Sequence, residues 1–395
     1  MNDTRTAPTA TEDSPIRSHV RDLPPFQGPP VEQDLRAAGF EGHVRRMHLN
    51  ECPYPPSPKV VEAIRAAAAG VNRYPDSQWR AVTERLAART GHPQDLIILG
   101  NGSDQILQAL AEITLDQSRS AVVPDPSFGR YTLAARIHGA RVIPVPTKAD
   151  GGNDVAAMLA AVRPDTRLMY ACTPNNPTGA MLAEAEVRRL ADETPDHCLL
   201  ALDEAYFEFT LHAGGPDGLA AIRHRKGPWV VLRTFSKSYG MAGLRVGYAL
   251  CGSAEIADSL NKIRQTFHVN AMAQAAAAAA LDDQAYGDWL VETLSAERDR
   301  LAGGLSELGL EIMPSVGNFV IAKLDRPAPS VIEALADQGL MIGGIRTPTP
   351  GFENHIRITV GLPEDTDAAL AALRDALTGV DPAASRPGLP GQARQ

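Results

Sequence analysis

The feature that most constrains this chain is a series of short apolar runs between residues 95 and 251, most of them separated by helical stretches. Short, nearly continuous apolar runs are typical of strands buried on both faces of a sheet, and helices supply the crossovers that parallel strands require. The predicted strands are 95–99, 120–124, 141–145, 168–172, 198–202, 229–233 and 246–251. The pattern therefore predicts an α/β fold with a mostly parallel sheet flanked by helices.

The pattern changes at about residue 254, where long helical stretches begin to dominate. They include 271–281 and 286–308, followed by shorter strands at 319–322 and 355–360 and a closing helix at 365–378. This change predicts a second, smaller α+β domain. We divide the chain into a disordered N-terminal tail at 1–22, an arm at 23–48, a large domain at 49–275, a small domain at 276–380 and a disordered tail at 381–395.

Composition limits the classes of function. Of the 395 residues, 44% are hydrophobic and 22% are charged, as in ordinary globular proteins. A net charge of −9 without a long Lys/Arg block argues against a nucleic-acid partner, and the sequence has no apolar run of about 18 residues that would span a membrane. The cysteines and histidines are scattered without metal-ligand spacing, so we expect no metal and a reducing, cytoplasmic location.

A phosphate-binding turn is predicted after the first strand of the series. Gly102, Ser103 and Asp104 follow the strand at 95–99 and begin a helix. The free N–H groups at a helix N-terminus favour a phosphate, although a glycine here is also compatible with an ordinary turn. Gln105 stands where the third glycine of a dinucleotide-binding motif would lie, which disfavours a dinucleotide.

An acid and a lysine follow two later strands at their carboxyl ends, where ligands bind in parallel sheets. Asp203 comes directly after the apolar run at 198–202, and such an acid is costly to desolvate unless it meets a cation. Lys237 follows the run at 229–233, has hydroxyl-bearing neighbours and precedes Arg245 by eight residues. A lysine in this setting is suited to forming a Schiff base with a phosphorylated aldehyde.

Three motifs, in this order, resemble those of the fold-type I pyridoxal-phosphate aminotransferases. They are 175–179 (NNPTG), 203–206 (DEAY) and 234–248 (TFSKSYGMAGLRVGY). The resemblance extends over about residues 20–380 and is strongest with the histidinol-phosphate aminotransferase group, as suggested by 20–26 (VRDLPPF), 49–51 (LNE), 72–76 (NRYPD), 317–319 (GNF) and 356–361 (IRITVG). It implies the fold-type I architecture and pyridoxal 5'-phosphate as the cofactor.

The resemblance assigns cofactor contacts to the strand-end residues. Lys237 would bond to the cofactor aldehyde and then act as a general acid/base, and Asp203 would pair with the pyridine nitrogen. Asn176 and Tyr206 would hydrogen-bond the phenolate oxygen, and Phe128 would stack on the ring. The implied phosphate contacts are Gly102, Ser103, Asp104, Thr234, Ser236 and Arg245.

The resemblance also assigns substrate contacts. Arg357 would clamp a substrate carboxylate through a bidentate pair. Arg346, Phe26 and Asn176 would contact the rest of the substrate, and Phe26 lacks the hydroxyl of the tyrosine usual at its position. Tyr74 resembles a tyrosine that reaches the cofactor phosphate of the other subunit, which implies a homodimer with shared active sites.

These residues can be interpreted in terms of three classes of function. The leading prediction is an aminotransferase that moves an amino group between histidinol phosphate or an L-amino acid and a 2-oxo acid such as 2-oxoglutarate. Its alternative is an aromatic or specialised biosynthetic aminotransferase, because Arg346 matches an arginine that both groups carry. A decarboxylase similar to the threonine-phosphate decarboxylases would instead release carbon dioxide. A non-enzymatic cofactor-binding module is disfavoured by the combination of Lys237, Asp203 and Arg357.

Overall fold

The computed structural model describes residues 14–26, 28–345, 347 and 349–378. Within this part of the chain the backbone forms a seven-stranded sheet and a five-stranded sheet. Helices flank both sheets. The predicted architecture, a large and mostly parallel sheet plus a smaller α+β unit, is confirmed.

The elements are numbered in chain order. The strands are β1 (Arg45–Met47), β2 (Ile97–Gly100), β3 (Ser120–Asp125), β4 (Arg141–Pro146), β5 (Thr166–Cys172), β6 (Leu199–Asp203), β7 (Trp229–Thr234), β8 (Gly247–Cys251), β9 (Glu311–Met313), β10 (Phe319–Lys323), β11 (Leu340–Gly344) and β12 (His355–Thr359). The helices are α1 (Ser18–Arg21), α2 (Glu32–Ala37), α3 (Pro58–Ala68), α4 (Arg80–Thr90), α5 (Ser103–Thr114), α6 (Arg130–Ile137), α7 (Val155–Ala160), α8 (Glu184–Glu193), α9 (Phe207–His212), α10 (Gly218–Ile222), α11 (Ala254–Ile263), α12 (Ala271–Leu281), α13 (Gln284–Glu307), α14 (Ala328–Ala336) and α15 (Pro363–Thr378).

The large sheet has the strand order β2-β8-β7-β6-β5-β3-β4. Strand β8 runs antiparallel to both of its neighbours, and every other adjacent pair is parallel. All positions of β6, β7 and β8 are buried, as expected for strands covered by helices on both faces. The carboxyl ends of β2, β3, β5, β6 and β7 therefore meet at one edge, together with the start of β8.

Local sequence signals explain several helices on this sheet. Helix α3 has Ser57 as its N-cap, whose side chain accepts from the Val60 N–H, and Pro58 at its first position. The alanine-rich α12 packs against α3 and α4, because small side chains let helices approach closely. Helix α5 follows β2 in the sequence after a short turn, so its N-terminus lies at the edge just described.

The small sheet has the order β1-β11-β12-β10-β9. Strand β1 pairs in parallel with β11, with Arg45 opposite Leu340, and the other pairs are antiparallel. Met47 of β1 is buried in the core of this sheet. Part of the segment that the sequence assigns to an arm thus forms a strand of the small sheet.

Some local predictions differ from the structure. Residues 94–96 form a 3₁₀ turn before β2, although the strand was predicted to begin at residue 95. Helix α1 lies within the segment predicted as a disordered tail, and the predicted boundary between residues 275 and 276 falls inside α12. Residues 1–13 and 379–395 lie outside the described part of the chain. None of the helices in the described part is long and apolar enough to cross a membrane.

Candidate active site

Lys237 lies just beyond β7, at the carboxyl edge of the large sheet. Its Nζ donates to the Asn50 carbonyl oxygen at 2.8 Å and lies 5.9 Å from the centre of the Tyr206 ring. Burial lowers the pKa of Lys237 from 10.5 to about 8, and the Arg357 guanidinium acts in the same direction. Near pH 8 the side chain thus carries a substantial neutral fraction, and the neutral amine is the form that attacks an aldehyde.

Asp203 is the last residue of β6 and is buried. Its Oδ2 accepts from the Tyr131 hydroxyl at 2.7 Å, and its Oδ1 accepts from the Ala205 N–H at 3.0 Å. Burial raises the pKa of this carboxyl to about 6, while the two hydrogen bonds act in the opposite direction. Because both donors are neutral, a cationic partner such as a protonated pyridine nitrogen would further favour the ionised carboxylate.

The N-terminus of α5 and Arg245 together form a cradle whose geometry and charge suit an anion. Gly102, which precedes α5, has a φ of +78°, and a Cβ there would lie only 2.6 Å from Arg245 Nη2. The guanidinium therefore packs directly over this glycine. The first N–H groups of a helix have no partner within it, so this cradle combines free donors, the helix dipole and a positive charge.

Two hydroxyl groups lie beside Val246, at the start of β8. The Thr234 hydroxyl lies 3.0 Å from Ser236 Oγ and 3.3 Å from the Val246 carbonyl oxygen. Asp104, in the first turn of α5, binds Arg130 Nε at 2.7 Å. This ion pair offsets a carboxylate that would otherwise repel a phosphate at the helix N-terminus.

Arg357 reaches the site from β12 of the small sheet. Its Nη1 donates to Asn176 Oδ1 at 2.7 Å, and its Nη2 donates to the His48 carbonyl oxygen at 2.8 Å. Its Nε is buried and has no hydrogen-bond partner in the described part of the chain. Burial lowers the pKa of this guanidinium, and a buried cation with an unused donor is suited to an anionic ligand.

The remaining predicted residues lie in different places. Phe128 is partly buried and packs edge-on against Tyr131, with ring centroids 5.7 Å apart. Tyr74 is 82% exposed and stacks on Phe267 at 4.4 Å, and Phe26 is 83% exposed. The single protomer therefore leaves Tyr74 and Phe26 on its surface. Arg346 lies outside the described residues.

The sequence interpretation did not assign a role to several residues at the site. Tyr131 binds Asp203 and lies three positions after Phe128, so its place on the same turn was a usable signal. Asn50 contacts Lys237 and Tyr206; it lies in the segment 49–51 (LNE) that carries part of the resemblance, but the sequence interpretation gave it no role. The Asp125 carboxylate binds the Thr347 hydroxyl at 2.9 Å and also binds Thr349, which ties the segment after β11 to the end of β3.

The residues at this edge fit pyridoxal phosphate. Lys237 matches the aldehyde, Asp203 the pyridine nitrogen, and the glycine cradle at Gly102 the phosphate. The Arg357 guanidinium acts electrostatically on Lys237 and so brings a positive charge to the same edge, which suits an anionic group of a substrate. When bound, the cofactor supplies an electron sink for the negative charge that develops at the substrate α carbon.

Comparison with known families identifies the class. The family model for aminotransferases of class I and II matches residues 43–373. The chain belongs to this family, and it is a pyridoxal-phosphate-dependent aminotransferase of fold-type I.

Individual relatives narrow the resemblance. The chain is 37% identical to the histidinol-phosphate aminotransferase of Moorella thermoacetica over 364 residues, which cover 91% of this chain and 92% of that protein. It is 39% identical to histidinol-phosphate aminotransferase 2 of Methylococcus capsulatus over 361 residues, which cover 90% and 96% of the two chains. The solved structure of the histidinol-phosphate aminotransferase from Sinorhizobium meliloti, in complex with pyridoxal-5'-phosphate, matches with a TM-score of 0.85 and 28% identity over 92% of this chain and 98% of that one.

Proposed function

We propose that this aminotransferase exchanges an amino group between histidinol phosphate and a 2-oxo acid such as 2-oxoglutarate. The observation that carries the proposal is the meeting of Lys237, Asp203 and the Arg357 guanidinium between the two sheets, in a chain similar along nearly all its length to histidinol-phosphate aminotransferases. Such a site offers a proton-transfer group, a ring anchor and an anion clamp together. All three are needed to transfer an amino group to a 2-oxo acid.

The proposed roles follow from the contacts of each side chain. Lys237 holds the cofactor aldehyde and later moves a proton from the substrate α carbon at its Nζ, since its lowered pKa leaves part of it neutral. Asp203 holds the pyridine nitrogen, and Phe128 stacks on the ring. Asn176 and Tyr206 hydrogen-bond the phenolate oxygen.

Anionic groups are held at two places. Gly102, Ser103 and the main chain of Asp104 bind the cofactor phosphate, together with Thr234, Ser236 and Arg245. Arg357 binds the carboxylate of the 2-oxo acid through the face that its bonds to Asn176 and His48 leave available. Arg346 and Phe26 contact the remainder of the amino donor.

We also propose an oligomeric state and a cellular location for the protein. We propose a cytoplasmic homodimer with shared active sites, in which the exposed Tyr74 of each protomer serves the site of the other. Its exposed ring, stacked on Phe267, is a surface that a second copy would cover. The proposed domains remain the large and small units built on the two sheets, with the N-terminal arm joined to the small sheet through β1.

A screen of amino donors tests the substrate. The visible absorbance of the bound cofactor is followed after mixing with histidinol phosphate, phenylalanine, tyrosine or glutamate, without a 2-oxo acid. We expect histidinol phosphate to convert the cofactor with the highest second-order rate constant. Faster conversion by phenylalanine or tyrosine would instead establish an aromatic aminotransferase. Release of carbon dioxide from an amino-acid substrate without an oxo-acid product would establish a decarboxylase.

Replacement of the catalytic lysine tests the chemistry. The Lys237→Ala variant should lose multiple turnover and the cofactor that borohydride reduction traps on the protein. The matched Lys226→Ala variant, at an exposed lysine, should retain both. Multiple turnover by the Lys237→Ala variant would refute the role of Lys237.

A further inference from the structure

Behind Lys237 lies a cluster of three buried polar residues, Asn50, Tyr206 and Thr359. Asn50 has a φ of +52°, in the left-handed region that asparagine tolerates better than most residues. Its carbonyl oxygen accepts from Lys237 Nζ at 2.8 Å, and its side-chain Nδ2 lies 2.8 Å from the Tyr206 hydroxyl. One residue thus contacts both Lys237 and Tyr206.

The hydrogen bonds between Asn50 and Thr359 determine which groups of this cluster donate and which accept. The Asn50 N–H donates to Thr359 Oγ1 at 2.9 Å. Because an amide N–H can only donate, Oγ1 is the acceptor there, and its own proton is left to donate to Asn50 Oδ1 at 3.1 Å. With Oδ1 turned to Thr359, the amide NH₂ faces Tyr206 and donates to it. The Tyr206 oxygen therefore accepts from Asn50, and its own proton is left for another acceptor.

We infer that Thr359 and Asn50 are positioning residues that direct the Tyr206 proton onto the phenolate oxygen of the cofactor. The inference rests on the proposed placement of Tyr206 against that oxygen. If the Asn50 amide were reversed, its oxygen would take the Tyr206 proton and the cofactor would lose a donor. Thr359, on β12 beside the carboxylate-binding Arg357, holds the amide in the donating orientation.

The experiment measures the pH midpoint of the visible absorbance band of the bound cofactor. Donation to the phenolate oxygen stabilises its negative charge, so the lysine–cofactor linkage loses its proton at a lower pH. Tyr206→Phe should raise the midpoint by roughly one pH unit, the size expected for one hydrogen bond to a charged oxygen. Thr359→Val should raise it by roughly half of that or more, because the amide is free to reverse. Thr359→Ser, which keeps the hydroxyl, should leave it unchanged.

A double variant separates this effect from a general disturbance of the site. In a Tyr206→Phe background, Thr359→Val should not move the midpoint further, because no tyrosine proton remains to be redirected. The titratable and charged groups that act on Lys237 and Tyr206 are unchanged by the substitutions at Thr359 and at Tyr206 itself; they are Arg357, Asp203, Glu51, Arg245 and Cys172. Asn50→Asp is a second route if Thr359→Val does not fold. Its carboxylate can only accept when ionised, so it should raise the midpoint more with Tyr206 present than with Tyr206→Phe.

The outcomes distinguish the inference from the proposed function. An unchanged midpoint in Tyr206→Phe would remove Tyr206 from the cofactor and so overturn both the proposed Tyr206 contact and the inference, while the donor screen would still test the proposed amino transfer. A raised midpoint in Tyr206→Phe with none in Thr359→Val would leave the proposed contact intact and overturn the role of Thr359. An equal rise for Thr359→Val in the presence and absence of the tyrosine hydroxyl would also overturn it. The inference is supported if Thr359→Val raises the midpoint when Tyr206 is present and leaves it unchanged in the Tyr206→Phe background.

Discussion

At the scale of single residues, two adjacent acids illustrate how strand geometry separates functions. Asp203 and Glu204 are both buried at the end of β6, and successive strand side chains point to opposite faces. Asp203 faces the site, whereas Glu204 pairs with the buried Arg233 at 2.8 Å. The Arg233 guanidinium also lies 3.2 Å from the centre of the Phe207 ring. The first acid is thus available for the cofactor, and the second holds β6 to β7.

Lys237 should be a cost to the stability of the cofactor-free protein. Its pKa is lowered from 10.5 to about 8 in the folded state, so below pH 8 folding must bury a charged amine. A difference of that size corresponds to roughly 3 kcal/mol of unfolding free energy. Lys237→Met should therefore raise the unfolding free energy at pH 7, measured by urea denaturation without cofactor.

The difference in unfolding free energy between Lys237→Met and the wild type should depend on pH. As the pH rises from 8 towards 10.5, the folded state loses the lysine proton while the unfolded state keeps it. The wild-type protein should therefore gain stability relative to Lys237→Met across this window, and the difference should close. The exposed Lys226→Met variant should differ little from wild type across the same window. A constant gap for Lys237→Met would contradict the prediction.

At the scale of elements, the site is formed by strand ends and one helix N-terminus. The parallel strands bring their carboxyl ends to one edge, and α5 starts there because Gly102 adopts a φ of +78°. Strand β12 contributes Arg357 from the other sheet. The proposed phosphate end of the site thus depends on one backbone turn, and the proposed carboxylate end depends on the approach of a second sheet.

The turn before α5 should be sensitive to a single methyl group. Gly102→Ala would place a Cβ 2.6 Å from Arg245 Nη2 in a backbone conformation that alanine disfavours. We expect the dissociation constant for pyridoxal phosphate to rise by about tenfold or more, since displaced charge-assisted contacts are worth at least ~1.4 kcal/mol. Equilibrium dialysis of the cofactor would measure this change.

A nearby glycine provides the matched control for that variant. A Cβ at Gly243 would meet no atom within 4 Å, and this residue lies in the same loop as Arg245. Gly243→Ala should therefore bind the cofactor as the wild type does. Equal dissociation constants for the two variants would show that the cradle at Gly102 does not hold the phosphate.

At the scale of the whole molecule, the candidate site lies between the two sheets, but one of the residues proposed for it, Tyr74, lies on the surface. Tyr74 is exposed in the protomer, although the proposed function needs it at a cofactor phosphate. A homodimer in which each chain supplies Tyr74 to the other would reconcile this exposure with the proposed role. Sedimentation of the cofactor-loaded protein should therefore give the mass of two chains.

Mixing two inactive variants tests shared sites directly. Lys237→Ala lacks the proposed catalytic amine, and Tyr74→Ala lacks the side chain that we propose each chain supplies to its partner. A mixed dimer of the two would contain one intact site, so after exchange of subunits about one quarter of all sites would be wild-type. We expect the mixture to regain activity in that proportion. Activity equal to the average of the separate variants would contradict a shared site.

The sequence by itself determined the sheet, its strand-end residues and the cofactor class. Asp203 directly follows an apolar run, and Lys237 and the turn at Gly102 follow one within four residues, so a local pattern was enough to place them at one edge. The family motifs lie in the same loops. Strand period and parallel topology are local consequences of residue order, which is why these predictions needed no coordinates.

Only the tertiary structure decided which distant segments complete the site. Asn50 and Thr359 lie 309 residues apart in sequence and 2.9 Å apart in space, and β1 of the arm joins the small sheet beside β11. No periodicity or capping signal specifies such a meeting, because it results from the packing of two sheets against each other. Burial at that junction also lowers the pKa of Lys237, since a charge is desolvated only when the whole chain closes around it.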